Sequence, residues 1–186
     1  MNSNLQVISG EIKGRKLKLS ADARPTQNLT RGAIFNSLTG ILLEPFTKIN
    51  AWDAFAGSGA LGIEILSRYH DSTVIFTDIS PESIRAITEN VHDIDWARYK
   101  IEKADAASRI WKYAHRVNLI FVDPPYSNPE LGIDFVAALT DSGFKGVVVQ
   151  EIESNVDYTP DTTKWTVLRD KKYGRARILI IKRINS

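Results

Sequence analysis

The stretch from Ile49 to His70, INAWDAFAGSGALGIEILSRYH, contains the transition that decides the fold. Its first seven residues are mostly apolar and predict a strand, and the residues from Gly59 onward have the spacing of an amphipathic helix. Between these elements Gly57, Gly59 and Gly62 follow the pattern G-x-G-x-x-G. Glycines allow a tight turn and let backbone N–H groups approach a ligand. Several classes of nucleotide-binding enzyme share this pattern, and a turn needed only for packing would also fit it.

The alternation of strand and helix continues on both sides of this stretch. A segment over 24–42 begins with an X-Pro turn and runs into a predicted helix. Further helices are predicted at 59–70, 80–91, 106–114 and 129–143, and strands at 49–55, 73–78, 99–105, 117–123 and 146–152. Such a rhythm indicates an α/β fold, with a parallel sheet covered by helices and a ligand at the carboxyl ends of its strands. Two further strands, turning at Tyr173 and Gly174, predict an antiparallel edge hairpin.

The N-terminal segment LQVISGEIKGRKLKLS alternates apolar and polar residues around Gly10 and Gly14, which predicts a small β-hairpin. With 186 residues the chain fits one domain, since domains usually have roughly 100–200 residues. We therefore expect a single domain over 1–186, with a hairpin appendage at 1–28 and a catalytic core at 29–186.

Composition excludes several classes of site. The chain has no cysteine, so disulfides and thiolate metal sites cannot form, and its three histidines lack ligand spacing. We therefore expect no metal. No apolar run is long enough to span a membrane, and the first ten residues lack the regions of a signal peptide. These features predict a cytoplasmic protein.

Charge is distributed unevenly. Residues 1–31 contain six Lys/Arg and two acids, residues 164–186 contain eight and one, and the part between them contains ten and nineteen. The two ends therefore carry +4 and +7 and the middle −9, which sums to the net charge of +2. Such blocks can be ordinary solvated surface, but if the basic ends meet on one face they form a plausible nucleic-acid footprint.

Acidic residues end three successive predicted strands. Asp53 precedes the glycine turn, where it would repel a pyrophosphate and attract a cationic group. Asp78 lies about twenty residues past the turn, a spacing that suits hydrogen bonds to a ribose diol, although it could simply favour the next helix N-terminus. Asp105 could accept from an adenine amino group or serve as a helix cap. Together they predict a site for S-adenosylmethionine, to which we assign Asp53, Phe55, Gly57, Ser58, Gly59, Asp78, Ile79, Asp105 and Ala106.

The fourth strand ends in Asp123-Pro124-Pro125-Tyr126, and consecutive prolines cannot continue a central strand. This motif is typical of enzymes that methylate an exocyclic amine of a nucleobase. The Asp123 carboxylate and the Pro124 carbonyl can each accept one N–H of that amine, which aims its lone pair at the methyl group. The Tyr126 ring can stack on an extruded base. We therefore predict Asp123, Pro124, Pro125 and Tyr126 as catalytic residues.

The chain resembles the RsmD family, bacterial enzymes that methylate N2 of a guanine in small-subunit ribosomal RNA. The resemblance rests on VISGEIKGRKLKL, on the glycine loop, on FVDPPY and on a signature within RPTQNLTRGAIFNSL that comprises Arg24, Pro25, Thr26, Arg31, Phe35, Asn36 and Leu38. Gly32 stands where the family usually has glutamate, Asp78 where glutamate is common, and Ser80 where a second acid is frequent.

The resemblance implies a Rossmann-like class I methyltransferase fold with a seven-stranded sheet. It also implies transfer of a methyl group from S-adenosylmethionine to N2 of a guanine in 16S rRNA, free or in an assembling small subunit, by a monomeric enzyme. RNA contacts are expected from the N-terminal segment and the first helix, at Arg15, Lys16, Arg24, Thr26 and Arg31.

Three other functions remain open at this point. An adenine-N6 methyltransferase acting on DNA or RNA would use the same motif, although the chain has little room for a separate target-recognition domain. A non-catalytic RNA-binding module could retain a vestigial cofactor pocket, yet every expected strand-end acid and glycine is present. A dinucleotide-dependent dehydrogenase fits the glycines but gives Asp123 to Tyr126 no role.

Overall fold

A computed structural model describes residues 5–19, 28–42 and 48–184. Its helices are α1 (Asn28–Leu42), α2 (Ala60–Arg68), α3 (Pro81–Asn90), α4 (Ile110–Tyr113) and α5 (Glu130–Leu139), and its strands are β1 (Asn50–Asp53), β2 (Thr73–Asp78), β3 (Tyr99–Lys103), β4 (Leu119–Val122), β5 (Val147–Glu153), β6 (Trp165–Tyr173) and β7 (Ala176–Arg183). Three short 3₁₀ turns lie at Trp96–Arg98, Ala107–Arg109 and Ala114–Arg116. The described residues contain no helix with the length and apolarity needed to cross a membrane.

All seven strands form one sheet in the order β3-β2-β1-β4-β5-β7-β6. Strands β1 to β5 are parallel, and β7 runs antiparallel to both β5 and β6. This is the class I methyltransferase arrangement, so the predicted fold and the antiparallel hairpin at the sheet edge are confirmed. The order in which strands are added to the sheet reverses direction between β1 and β4. In open α/β sheets such a reversal of strand order marks the ligand crevice.

The register brings the carboxyl ends of the parallel strands to one edge. Asp53 is paired with Phe76 in β2 and Phe121 in β4, and Val122 is paired with Gln150 in β5. Residues that follow each strand therefore share this edge of the sheet. The acids predicted at successive strand ends are neighbours in space because of this register.

Helices cover both faces of the sheet. One face packs on α1, α2 and α3 through residues such as Phe35, Ile63 and Ile87, all without solvent exposure. The other face packs on α4 and α5, where the Trp52 ring contacts Tyr113 and Phe135 edge-on at centroid distances of 5.5 and 5.3 Å. The inner strands are apolar on both faces because both are covered, as expected for a parallel sheet.

The helix predicted at 106–114 is shorter than expected. Only Ile110–Tyr113 is α-helical, with a 3₁₀ turn on each side. Asp105 accepts hydrogen bonds from the amides of Ala107 and Ser108, both at 3.3 Å, which shapes the first turn. Arg109, by contrast, bonds Glu102 of β3 at 2.6 Å. The side chain of Arg109 therefore bonds β3 at the point where a longer α4 would begin.

The predicted N-terminal β-hairpin is not present as two regular strands in residues 5–19, but the limbs run antiparallel and are joined by backbone hydrogen bonds from the Leu17 amide to the Leu5 carbonyl and from the Val7 amide to the Arg15 carbonyl, both at 2.9 Å. The two limbs share one isolated antiparallel bridge, between Gln6 and Lys16. The amides of Ile8 and Ser9 instead donate to the carboxylate of Glu64, at 2.8 and 2.9 Å. The limbs therefore pair over a short length only, and nearer the turn the backbone amides find their acceptors on helix α2.

Residues 5–19, which we call the arm, are held closely against α2. Gly10 has φ +91, and a Cβ atom there would lie 2.0 Å from the carbonyl oxygen of Ser67. Asn90 of α3 holds the other limb, since its side chain accepts from the Lys18 amide at 2.8 Å and donates to the Lys18 carbonyl at 3.0 Å. The same Asn90 amide donates to the carbonyl of Ser58 at 2.9 Å, so the arm and the glycine loop share one anchor.

Candidate active site

A cleft of about 920 Å³ opens at the carboxyl edge of the sheet. It runs from the loops after β1, β2 and β3 to the loop after β4, the end of β5 and the turn between β6 and β7. Predicted residues in its lining are Asp53, Phe55, Gly57, Ser58, Asp78, Ile79, Asp105, Ala106, Asp123, Pro125, Tyr126 and Arg31. The structure thus brings most of the predicted residues into one continuous cleft.

The glycine loop turns sharply between β1 and α2. Gly57 and Gly59 have φ +54 and +78, in the left-handed region that favours glycine. A Cβ at Gly57 would meet no atom within 4 Å, so this part of the backbone faces open space. At Gly62, by contrast, a Cβ would lie 2.3 Å from the ring of Phe76. The first two glycines shape the loop, and the third allows α2 to pack on β2.

Asp78 is oriented by two backbone amides. Its Oδ2 accepts from the Gly57 amide and its Oδ1 from the Ser80 amide, both at 2.8 Å. Ser80 also caps α3 by accepting from the Ser83 amide at 3.3 Å. A carboxylate accepts up to about four hydrogen bonds, so this carboxylate can receive a diol in addition to these two. Asp78 therefore supports the start of α3 and keeps acceptor positions for a ligand, so the two roles that the sequence left open are compatible.

Asp53 is almost completely buried below the glycine loop, with 2% of its surface exposed. Its Oδ2 accepts from the Gly62 amide at 2.9 Å. Burial raises the pKa of Asp53 to about 7, with a smaller opposing effect of the Gly62 amide and a further rise from the charge of Asp78. The carboxylate is therefore costly to ionise in the absence of a nearby positive charge.

The remaining residues predicted for the cofactor lie around these acids. Ile79 is 72% exposed and lines the cleft, an unusual position for a large apolar side chain. Phe55 packs on the side of the sheet that α5 covers, where its ring contacts the Phe135 ring edge-on at a centroid distance of 5.5 Å. Ala106 is buried and lines the cleft beside Asp105. Gly59 does not line the cleft and is the N-cap residue of α2.

The Asp-Pro-Pro-Tyr loop leaves β4 at the same edge. Asp123 and Tyr126 are half-buried in the cleft, Pro125 is exposed and Pro124 is buried. Pro124 rests on α5, where a Cβ at Gly132 would lie 2.8 Å from the Pro124 ring. The glycine thus allows the loop to lie against the helix, which fixes the direction of the Pro124 backbone.

The sequence prediction missed a glutamate that faces this loop. Glu151 lies near the carboxyl end of β5, lines the cleft and accepts from the Tyr126 hydroxyl at 2.6 Å. The signal was present, because Glu151 is a further acid close to the carboxyl end of a parallel strand, where Asp53 and Asp78 also lie. Tyr173 and Arg175 also line the cleft, at the turn between β6 and β7. No local motif distinguishes them, since only the strand order brings this turn next to β5.

The residues predicted to contact RNA have different positions. Arg15 on the arm forms an ion pair with Asp93, and Lys16 is exposed. Arg24 and Thr26 lie outside the described residues. Arg31 lines the cleft but is fully buried, and its Nη2 donates to the carbonyl of Gln6 at 2.6 Å. Arg31 therefore joins α1 to the arm.

Comparison with known proteins now identifies the family. A family model described as Conserved hypothetical protein 95 matches residues 5–182. The chain belongs to this family. It is similar to Ribosomal RNA small subunit methyltransferase D of Escherichia coli strain K12, with 26% identity over 98% of this chain and 91% of that protein. The resemblance to the RsmD family, first seen in the Arg-Pro-Thr signature, is confirmed.

Two further relatives support the same family and fold. YlbH of Bacillus subtilis strain 168 is 31% identical over 96% of this chain and 99% of its own length. The solved structure of yhhF from Escherichia coli has a TM-score of 0.78 with 26% identity, and covers 96% of this chain and 97% of that one. The similarity extends over the whole sheet, its helices and the arm, so the chain is a methyltransferase of the RsmD family.

The cleft fits the cofactor that this family implies. Gly57 leaves open space, Asp78 is oriented toward the cleft by two amides, and Asp53 supplies a buried carboxylate below the loop. These groups match a ribose diol, which a dinucleotide also has, and a positive charge in the place of a pyrophosphate, which distinguishes S-adenosylmethionine from a dinucleotide. Over the residues described, no group of three or more His, Cys, Asp or Glu side chains could hold a metal ion.

Proposed function

We propose that this protein transfers a methyl group from S-adenosylmethionine to the exocyclic N2 amine of a guanine in small-subunit rRNA. One observation carries the proposal. A single cleft contains both the acids that suit the cofactor, Asp53 and Asp78, and the Asp123 loop that suits a planar amine. A dehydrogenase would have no use for that loop. The rRNA substrate is supported by the name of the relative in Escherichia coli.

The cofactor half of the cleft, which is the part lined by the glycine loop and the residues after β2 and β3, would bind and orient S-adenosylmethionine. Asp78 would accept from the ribose hydroxyls and Asp105 from the adenine amino group, with the exposed Ile79 beside the adenine ring. Asp53 would lie below the sulfonium end of the cofactor, where its charge is favourable. When bound, S-adenosylmethionine supplies an electrophilic methyl group on a positively charged sulfur.

The substrate half prepares the nucleophile. The amine lone pair of a guanine is delocalised into the ring, so the free amine is a weak nucleophile. Asp123 and the Pro124 carbonyl would each accept one N–H, which favours a tetrahedral nitrogen with its lone pair directed at the methyl carbon. As the nitrogen–carbon bond forms and the carbon–sulfur bond breaks, the nitrogen loses a proton to solvent. Tyr126 would hold the ring by stacking, which requires an unpaired or extruded base.

RNA binding is proposed for the basic surfaces near the cleft. Lys16 is exposed on the arm, and the arm is tied to the cleft wall through Arg31. Lys171, Lys172 and Arg175 belong to the β6–β7 hairpin, whose turn lines the cleft. Such cations grip the phosphate backbone without reading sequence. Arg24 and Thr26 stay in this proposal on the basis of the family signature alone.

The test is methyl transfer to defined RNA. The purified protein is incubated with S-adenosylmethionine labelled in the methyl group and with small-subunit particles from cells that lack this protein. The RNA is then digested to nucleosides and the labelled nucleoside is identified by mass spectrometry. We expect N2-methylguanosine at one position, and no label when excess S-adenosylhomocysteine is added as competitor.

Two other results would contradict the proposal. Label found only in N6-methyladenosine would favour the adenine methyltransferase. Absence of label together with absence of S-adenosylmethionine binding in calorimetry would favour the non-catalytic module. Particles and protein-free RNA are assayed side by side, so that the form of the substrate is measured in the same experiment.

A further inference from the structure

Glu151 has a position that neither the cofactor nor the amine requires. It lies at the carboxyl end of β5, 8% exposed, in the lining of the substrate half of the cleft. A carboxylate is almost never buried to this extent unless it is paired. Its Oε1 accepts from the hydroxyl of Tyr126 at 2.6 Å. Because Tyr126 belongs to the Asp123 loop, Glu151 and Asp123 both line the substrate half of the cleft.

The surroundings of Glu151 keep it near the base. Thr30 and Arg31 at the start of α1 line the same part of the cleft, as does Arg175 from the β6–β7 turn. Arg175 itself donates to Glu153 at 2.6 Å, which orients its guanidinium along the strand. The Glu151 carboxylate can accept further hydrogen bonds besides that of Tyr126, since it offers about four acceptor positions.

The edge of the base next to the reacting amine differs between purines. In guanine the ring nitrogen N1 carries a hydrogen and is bonded to the carbon that holds N2. In adenine the ring nitrogen next to the N6 carbon is an acceptor with a lone pair. A carboxylate beside the amine therefore gains a charge-assisted hydrogen bond from guanine, and meets a second acceptor in adenine.

We propose that Glu151 is the residue that selects guanine, by accepting the N1–H next to the N2 amine held by Asp123 and Pro124. The inference rests on the proposed function and adds the group that specifies the base. Tyr126 then has two roles, since its ring stacks on the base and its hydroxyl orients Glu151. A site built to accept a substrate N–H discriminates strongly against an analogue without it, because its own polar group is left unpaired.

The test compares guanine with 2-aminopurine. This analogue keeps the amine at the same ring carbon, but it has an acceptor lone pair at N1 and lacks the O6 oxygen of guanine. Two RNA substrates are prepared from the mapped small-subunit region, one with guanine and one with 2-aminopurine at the target position. We measure kcat/KM on both for the unaltered protein and for Glu151→Gln. The effect of O6 is the same for both proteins, so it cancels in the ratio of ratios.

Glu151→Gln keeps the shape of the side chain and can place an amide N–H₂ toward the base while its oxygen still accepts from Tyr126. The unaltered protein should prefer guanine by about 100-fold or more, in line with the rejection expected for a lost hydrogen bond to a charged acceptor. In Glu151→Gln that preference should fall by at least about tenfold. The affinity for S-adenosylmethionine should change less than about twofold, which also shows that the variant is folded.

Two matched variants distinguish selection of the base by Glu151 from a role of Glu151 in holding the Tyr126 side chain. Glu153→Gln makes the same change two residues further along the same strand, at a residue that pairs with Arg175. It should leave the base preference unchanged. Tyr126→Phe removes the hydroxyl from Glu151 and should lower kcat/KM on both substrates. If Glu151 acted only by holding Tyr126, Glu151→Gln, whose oxygen keeps that hydrogen bond, would leave the ratio of the two rates unchanged.

The outcomes are distinct. A reduced preference for guanine in Glu151→Gln, with normal cofactor binding, supports the inference. Formation of N2-methylguanosine by the unaltered protein together with an unchanged preference in Glu151→Gln overturns it and leaves the proposed function intact. Failure of the unaltered protein to form N2-methylguanosine in any small-subunit RNA overturns the proposed function, and this inference with it.

Discussion

The two halves of the cleft are held in place by different kinds of bond. In the cofactor half, Asp53 and Asp78 are fixed by backbone amides of the glycine loop and of the start of α3. In the substrate half, Tyr126 is fixed by the side chain of Glu151, and Arg175 by Glu153. Backbone bonds hold a site in one geometry, whereas side-chain bonds can exchange when a ligand arrives. The comparison predicts a rigid cofactor site beside an adaptable base site.

Because of this difference, substitutions in the two halves of the cleft should affect different measured quantities. Changes in the cofactor half should alter affinity for S-adenosylmethionine and leave the chemical step nearly intact. Changes in the substrate half should alter turnover or base choice and leave cofactor affinity unchanged.

The largest effect is expected from Asp123→Ala. The variant loses the acceptor that holds the reacting amine, so kcat should fall by about a thousandfold, the order expected for a group that stabilises only the transition state. Cofactor affinity, measured by calorimetry, should stay within about twofold. Single-turnover methylation of the rRNA substrate gives the rate. A near-normal rate would mean that Asp123 does not hold the amine.

An intermediate effect is expected from Asp78→Ala. The change removes the acceptors for the ribose and also releases the amides of Gly57 and Ser80. Loss of such charge-assisted hydrogen bonds costs about 2–3 kcal/mol, so Kd for S-adenosylmethionine should rise by about 30- to 150-fold. At saturating cofactor kcat should recover. Asp105→Ala, at an exposed acid, is the matched control and should have a smaller effect; equal losses in the two variants would contradict the assigned roles.

The sequence predicted the fold and the cofactor half because both depend on local patterns. Strand–helix alternation, a glycine loop and acids at strand ends are each contained in short segments. The parallel register then brings Asp53, Asp78 and Asp105 together without further information. By contrast, Glu151 and Arg175 meet the Asp123 loop only because β5 lies next to β4 and β7, and the chain order alone does not specify which strands are neighbours.

Two predictions on the N-terminal side had a physical alternative that the pattern did not reveal. The limbs of the arm bond each other as the alternation predicts, but only over a short length, because the amides nearer the turn bond Glu64 and Ser67 of α2. For Arg31 the family resemblance implied a contact with RNA. Its spacing from Ile34, Phe35 and Leu38 puts it on the buried face of α1, so helical periodicity was the better guide to its position.

The smallest effect, and the sharpest test of the cofactor half, concerns the proton of Asp53. Its pKa is raised to about 7 by burial, so the carboxylate is partly protonated at neutral pH when the cofactor is absent. A sulfonium above it favours ionisation, and binding should then release a proton. Between pH 8 and pH 6 the affinity for S-adenosylmethionine should fall by about tenfold, the loss expected when a group of this pKa must ionise on binding.

Calorimetry in buffers of different ionisation enthalpy measures the released proton directly, and S-adenosylhomocysteine, which has no sulfonium charge, is the control. Equal pH dependence for the two ligands would show that the sulfonium does not lie near Asp53.

The stability of the free protein gives a second measurement of the same proton. Because the folded-state pKa of about 7 lies above the ordinary value of 3.8, the stability contributed by protonated Asp53 is complete below 3.8 and is lost as pH rises through about 7. Asp53→Asn removes this loss, so it should raise the free energy of unfolding at pH 8 by a few kcal/mol, since a tenfold change in an ionisation constant corresponds to about 1.4 kcal/mol. At pH 4 the same substitution should change the free energy of unfolding little. Denaturant unfolding at the two pH values makes the comparison, and an equal effect at both would show that Asp53 is already ionised in the folded protein at pH 4.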